Sequence, residues 1–335
     1  MRLERRDLRA LRPSFTQGAT TEKRGIGTPP DVDLENVIGM GRVKRPIRRS
    51  DILPYTLVAP LVLFIIGLAL VPAAFTIVES FFKVQPLNPP RKFIGLANFV
   101  NLFRDTAVLS SIENTALYVI IGVTASTVLG IALAVTLQKK FVGRSILIAV
   151  LILPWALPGV VEGIVWTGIW DSNVGLLNSL LTTAHLITHY QVFLGQNQLV
   201  TILAIGLVQV WQITPLSALL ILAALQNIPQ DIYEAASIDG CSAWSSFRRI
   251  TLPLARPGIA IALVQAVIAT LNIFDQPYVL NGAASTGASL TMQTYFISFQ
   301  NLNFGQGYAL SLLITVVTLF VSFVFVKWVY RSVEF

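Results

Sequence analysis

Glu162, Gln209, Gln212, Asn272 and Asp275 stand inside stretches that are otherwise almost wholly apolar, with Trp211 and Tyr278 beside them. A carboxylate in a lipid core costs on the order of 2.5–3.5 kcal/mol even on the mildest insertion scale, so such residues mark a polar pathway or a partner. If Ile146–Trp170 is one outward-running helix, Glu162 lies 16 residues past its start, roughly 24 Å at the α-helical rise. Asn272 and Asp275 lie 14 and 17 residues past Gly258, roughly 21 and 26 Å by the same rise. Gln209, Trp211 and Gln212 occupy the outer-to-middle part of an inward-running helix. These residues, with Tyr278, form a candidate band at one depth. Amides and carboxylates there would meet hydroxyl groups, and aromatic rings would meet the apolar face of a sugar. The positions are equally compatible with an outer lip in water or with helix ends, and spacing does not separate the two.

Other chemistries lack their residues. No Gly-Lys dipeptide occurs, so there is no phosphate-binding G-x-x-x-x-G-K-[ST] loop, and neither H-E-x-x-H nor G-x-S-x-G is present. His185 and His189 are spaced as a metal-binding pair, but no nearby carboxylate or cysteine completes a site. They are expected to be solvated loop histidines, with no metal bound. Cys241 is the single cysteine, which excludes an internal disulfide.

The elements that position the band are set by composition. Of 335 residues, 54% are hydrophobic and 12% charged, about half the charge of a soluble domain. Six apolar segments approach the ~20 residues a bilayer requires: about 53–82, 114–137, 146–170, 199–225, 258–280 and 307–330. The third contains Pro154 and Pro158, the fourth Pro215. The net charge of +7 is not a nucleic-acid footprint, because 12 of the 24 Lys and Arg lie in residues 1–50 and the rest mostly edge the apolar segments. With the N-terminus inside, 20 of the 24 fall on the inner side. Both termini are then cytoplasmic. Residues 1–50 read as a basic, partly disordered cytoplasmic arm that could meet anionic lipid, and 51–335 as the membrane domain. The first apolar run begins too far in and runs too long for a cleaved signal peptide.

The longest inner loop, about 227–257, contains EAASIDGCSAWSSFRRITLP, Glu234 to Pro253. Asp231 is placed to cap a helix starting near Ile232. Ala235 and Ala236 keep its surface low, and Gly240 allows a tight turn. A second helix is predicted from Ser242 to Arg249, with Trp244, Phe247 and Ile250 on one face and an end at Leu252-Pro253. On these grounds alone the segment fits a helix–turn–helix on the membrane surface, whether a mere connection between spans or a docking element.

The letters are more specific. Glu234-Ala235-Ala236, Asp239-Gly240, Phe247, Ile250, Leu252-Pro253 and Pro257 resemble the EAA loop of permease subunits of binding-protein-dependent ABC importers, with Cys241 in place of the usual alanine. Trp211–Ala236 and Ile273–Ser285 resemble the carbohydrate-importer branch, although Asn281 and Ala283-Ala284 depart from its outer-loop pattern. Ile94–Phe103 is similar to the first outer loop of maltose-type permeases. The resemblance runs from about Leu53 to the C-terminus.

It implies an all-α polytopic membrane protein, a six-transmembrane-helix importer permease core with a cytoplasmic coupling helix–turn–helix, in a bacterial or archaeal cytoplasmic membrane. It implies a second permease in a heterodimer, two ATPase subunits that carry ATP and Mg, and an extracytoplasmic binding protein that delivers a sugar or sugar-like solute. This chain would hold no cofactor and hydrolyse nothing itself. Glu234, Ala235, Ala236, Asp239, Gly240, Trp244, Phe247, Leu252 and Pro253 would dock an ATPase subunit. An ion-gradient-driven secondary carrier would instead show internal repeats, and none is convincing. A membrane-embedded enzyme would need a nucleophile or metal constellation.

Overall fold

The computed structural model describes residues 49–282 and 284–329. The expected basic arm lies outside the described residues but for its last two. The chain divides into two compact units, Met1–Pro60 and Leu61–Phe335. Of the first, the described part is the opening of helix α1, Arg49–Ile65. Apart from that opening, everything below belongs to the second.

Among the described residues, five helical segments are long and apolar enough to cross a membrane: Tyr55–Glu79, Thr106–Gln138, Gln198–Gln226, Arg256–Leu280 and Phe304–Lys327. The first is α1 running through a π turn, Ile66–Leu70, into α2, Val71–Glu79. Short strands β1, Phe82–Lys83, and β2, Lys92–Phe93, pair antiparallel in the loop that follows. Arg91 anchors this ribbon. Its Nε donates to Glu79 Oε2 at 3.0 Å, a terminal nitrogen donates to Oε1 at 2.7 Å, and the guanidinium lies 3.7 Å from the Phe82 ring centre. Helix α3, Ala97–Leu102, adds Asn98, whose amide donates to the Ser80 and Phe82 carbonyls.

Helices α4, Thr106–Gln138, and α8, Gln198–Gln226, form the centre of the bundle. Each begins where a side-chain oxygen satisfies a free backbone N–H: Asp105 accepts from Ala107 and Asn197 from Val200. Helix α12, Arg256–Leu271, packs on both, and α15, Phe304–Val329, packs on α12. Where the end of α4, the end of α8 and the start of α12 meet, Ala134, Leu137, Leu225 and Ile259 share one buried cluster. Many apolar side chains elsewhere stay exposed, as a lipid-facing surface requires.

The third expected span is not one helix. It is α5, Arg144–Ala156, and α6, Gly159–Trp170, bent by 98°. A proline disfavours helical backbone in the residue before it. Leu157, before Pro158, is extended at φ −74° and ψ 137°, and Pro158 follows at ψ 136°. The depth of Glu162 counted along a single straight helix is therefore overturned. Just past α6, Asp171 accepts N–H groups from Val174 and Asn173 of the following turn, which holds its carboxyl below the usual carboxylate range. Helix α7, Leu176–Thr183, follows; His185 and His189 lie in the irregular chain after it.

The expected fifth span is also divided, into α12 and a short α13, Asp275–Leu280, without a sharp bend. The third outer loop is not a loose connection. It folds into α14, Leu290–Tyr295, and a π turn, Phe296–Gln300, with Met292 and Ile297 buried. Tyr118 of α4 donates to the Gly287 carbonyl at 2.8 Å, Asn114 donates to the Ala288 carbonyl at 2.9 Å, and Thr115 Oγ1 accepts the Leu290 N–H at 2.8 Å.

The Glu234–Pro253 segment folds as α9, Gln230–Ile238, then α10, Ala243–Ser246, a π turn, Phe247–Thr251, and α11, Leu252–Leu254. Two local expectations are corrected. Asp231 does not cap α9; Pro229 holds that place and Asp231 lies in the first turn. Leu252-Pro253 does not end the second helix. Pro253 stands in the opening turn of α11, where a missing N–H is harmless, and the π turn before it absorbs the change in hydrogen bonding.

Candidate functional site

The polar band is built by three elements meeting at α6. Glu162, in the first turn of α6, is 0% exposed. Gln276 of α13 donates one amide nitrogen to Glu162 Oε2 at 3.0 Å and to Gln212 Oε1 of α8 at 2.8 Å. It is 4% exposed, so a single amide ties α6, α8 and α13 inside the protein. Glu162 Oε1 and Gln209 Oε1 are buried and find no hydrogen-bond partner among the described residues. Buried acceptors of this kind ask for a donor.

Glycines make the approach possible. A side chain at Gly159 would collide with Asp275, whose Cβ and Cγ lie 2.8 and 2.9 Å from where its Cβ would be. At Gly163, one turn on, the obstacle is Val279, also at 2.8 Å. Two small residues four apart let α6 lie directly on α13, the packing that membrane helices favour. Asp275 is thereby held against the opening turn of α6, where unpaired N–H groups favour negative charge. Gly163→Val is expected to part α6 from α13, destabilise the protein by about 1–3 kcal/mol through overpacking, and lower its thermal unfolding midpoint, whereas Gly168→Val, a site with open space around it, should not.

Aromatic residues border the cluster. Trp166 stacks on Trp170 with centroids 5.6 Å apart and meets Trp211 edge-on at 5.5 Å. Pro215 of α8 has no N–H to give the carbonyl of Trp211, beside Gln212. On α13, Tyr278 stacks on Phe274 at 5.2 Å and meets Tyr295 edge-on at 5.3 Å.

Of the band read from sequence, Glu162 and Gln212 come together, Trp211 borders them through Trp166, Asp275 sits one residue from Gln276, and Gln209 lies buried one turn before Gln212. Tyr278 belongs to the separate aromatic stack. Asn272 makes none of these contacts: it is exposed at the end of α12 and its amide donates back to the Ile268 carbonyl at 2.8 Å. Gln276, which joins the cluster, escaped sequence reading. Its signal was the one used for Gln209 and Gln212, an amide in an apolar run, here hidden behind Asp275. Among the described residues no group of three or more His, Cys, Asp or Glu could share a metal ion.

The second site is the helix–turn–helix. Gly240 is at φ +74°. Its N–H donates to the Ser237 carbonyl at 3.1 Å, and Cys241 N–H donates to the Ala236 carbonyl at 2.9 Å. This is the paired closure of a helix through a left-handed glycine. Ser242 then caps α10 by accepting the Ser245 N–H at 3.3 Å. Trp244 and Phe247 stack at 5.5 Å, and Tyr233 hydrogen-bonds Thr251 at 3.2 Å across the turn. Tyr233, Leu252 and Leu254 pack against the cluster that joins α4, α8 and α12, while Pro253 is half-buried beside them. Glu234, Ala235 and Asp239 are exposed, Ala236 is half-buried, and Ile238 and Trp244 are 87% and 69% exposed. The segment is thus anchored on one side, while its free side carries Ile238 and Trp244 among the exposed charges of Glu234, Asp239, Arg248 and Arg249.

Bundle, broken third span and anchored surface helices define a multi-pass α-helical membrane protein with a polar interior cluster. Residues 126–335 match the family described as binding-protein-dependent transport system inner membrane component, and the chain belongs to that family. It is 33% identical over 280 residues to the trehalose/maltose transport system permease protein MalF of Thermococcus litoralis, covering 83% of this chain and 94% of that one. It is 29% identical over 276 residues to the trehalose transport system permease protein SugA of Mycobacterium tuberculosis, covering 82% and 88%. The fold matches a chain of a bacterial alginate ABC transporter solved with an alginate-pentasaccharide-bound periplasmic protein, with a TM-score of 0.73 at 21% identity, over 85% of this chain and 96% of that chain.

Proposed function

We propose that this chain forms one half of the pathway of an ATP-driven importer for a sugar or sugar-like solute. The observation that carries this reading is the Glu162–Gln276–Gln212 cluster bordered by Trp166 and Trp211. It combines buried acceptors with flat aromatic faces, the chemistry a polyhydroxylated ring requires. The names of the relatives support the solute class. The second half would be another permease, and an extracytoplasmic binding protein would deliver the solute. Two ATPase subunits would bind ATP and Mg and dock on the exposed side of α9 and α10, with Glu234, Ile238 and Trp244 in contact. Both termini would be cytoplasmic. A self-contained ion-gradient carrier is disfavoured by membership in a binding-protein-dependent family.

The test is uptake of labelled trehalose, maltose and alginate oligomers by proteoliposomes that hold the chain with its co-purifying subunits. Uptake is expected to require enclosed-side ATP and the binding protein, and to survive an ionophore. Uptake driven by an ion gradient without ATP would overturn the reading.

A further inference from the structure

On the face that carries α9 and α10, a cavity of about 730 Å³ separates the end of α4 from the coupling segment. Lys139, Lys140, Ser237 and Ser246 line it, with Gln138 and Glu234. Among the described residues the one ion pair is Arg91–Glu79, so neither lysine has a carboxylate within pairing distance, Glu234 included. Two lysines and two serines therefore line a space large enough for a phosphate ester.

The surroundings say which kind. The turn after α4 is fixed by Arg144, whose Nε donates to the Leu137 carbonyl at 2.6 Å, and by Gly143 at φ +88°. It presents Phe141 and Val142 exposed next to the lysines, and Ile146 and Leu147 continue that apolar surface onto α5. Apolar residues contiguous with a membrane-facing surface, beside unpaired lysines at the end of a spanning helix, have the chemistry of a headgroup site rather than a site for a free anion.

We infer that this cavity holds the headgroup of an anionic phospholipid, with Lys139 and Lys140 on its phosphate, Ser237 and Ser246 as hydrogen-bond donors, and the acyl chains running out past Phe141 and Val142. The lipid braces the coupling segment from behind, because Glu234 and Phe247 belong to the cavity wall. The inference rests on α4 crossing the bilayer, not on the solute or on which face is cytoplasmic.

The test is native mass spectrometry of the chain with its co-purifying subunits, released from nanodiscs of phosphatidylcholine with or without phosphatidylglycerol. Each surface lysine is worth roughly fivefold in affinity for an anionic lipid. The Lys139→Gln/Lys140→Gln pair is expected to weaken retention of one phosphatidylglycerol by about 25-fold, and Lys83→Gln/Lys92→Gln, on the β1–β2 ribbon, to leave it unchanged. Glycerol phosphate in excess should not displace the lipid. Equal retention by both pairs overturns the inference. So does displacement by glycerol phosphate, which would make the cavity a soluble-anion site. Loss of an ATPase subunit with lipid retention unchanged would reassign the lysines to a protein contact. Nanodisc leaflets are identical, so a wrong topology would not alter these results; it would be read separately from labelling of Val142→Cys in a Cys241→Ser background.

Discussion

Gly240→Pro is expected to abolish coupled uptake while leaving the membrane bundle folded. Proline fixes φ near −65°, whereas this position is at φ +74°. Proline also removes the N–H that donates to Ser237, and the altered chain path breaks the Cys241–Ala236 bond. α9 would then no longer deliver α10 at its present angle, and the Trp244–Phe247 pair would swing away from where an ATPase subunit would meet it. A left-handed position forced on an ordinary residue costs about 1–2 kcal/mol, and coupling between sites is typically about 1–3 kcal/mol, a 5- to 150-fold effect. Loss of the turn consumes most of that. Space is not the issue, since a side chain at 240 meets nothing within 4 Å. Gly240→Asn, which tolerates the left-handed region, should therefore keep most of the uptake. The readouts are ATP-dependent uptake in proteoliposomes and thermal unfolding of the purified complex. Parent-level uptake by the proline variant would remove the turn from the coupling path.

The sequence was most legible where one physical signal dominated. Length of apolar run located α4, α8 and α15 to within several residues, because lipid demands about twenty apolar positions whatever they pack against. Gly240 was legible because a glycine between two amphipathic stretches has few other uses. Pro154 and Pro158 were visible, but their consequence was not. A proline pair inside a membrane span is tolerated in many straight helices, and only the extended backbone at Leu157 and Pro158 turns this one by 98°. The error propagated to the depth of Glu162; that it and Gln212 share a donor depends on Gln276 of α13, which the spacing did not single out. The third outer loop was illegible for another reason. Its order comes from Asn114, Thr115 and Tyr118, about 170 positions away in the chain, and single-sequence periodicity carries nothing about so distant a bond. Pro253 shows the reverse case, a residue whose usual effect was cancelled locally by a π turn.

Gln276→Leu is expected to be among the most damaging single changes in the membrane core. It strips Glu162 Oε2 and Gln212 Oε1 of their shared donor, and Glu162 Oε1 already lacks one among the described residues. An orphaned buried polar group costs about 1–3 kcal/mol, so the two acceptors left without their donor make a loss of roughly 2–6 kcal/mol the expected result. Glu162→Leu, which removes the group that needs the donor, should cost less. In a double-mutant cycle the pair Glu162→Leu/Gln276→Leu should therefore be less destabilised than the sum of its parts, with a coupling of about 1–3 kcal/mol. Thermal unfolding in lipid reports this half of the prediction. Uptake reports the other half and decides what the cluster is for. If it only ties α6, α8 and α13 together, uptake should return with stability in the double variant. If its amides and carboxyl meet the solute, stability should return and uptake should not. The second outcome is expected, because a cluster kept only for packing would be served as well by leucines, and this one retains two acceptors with no donor among the described residues.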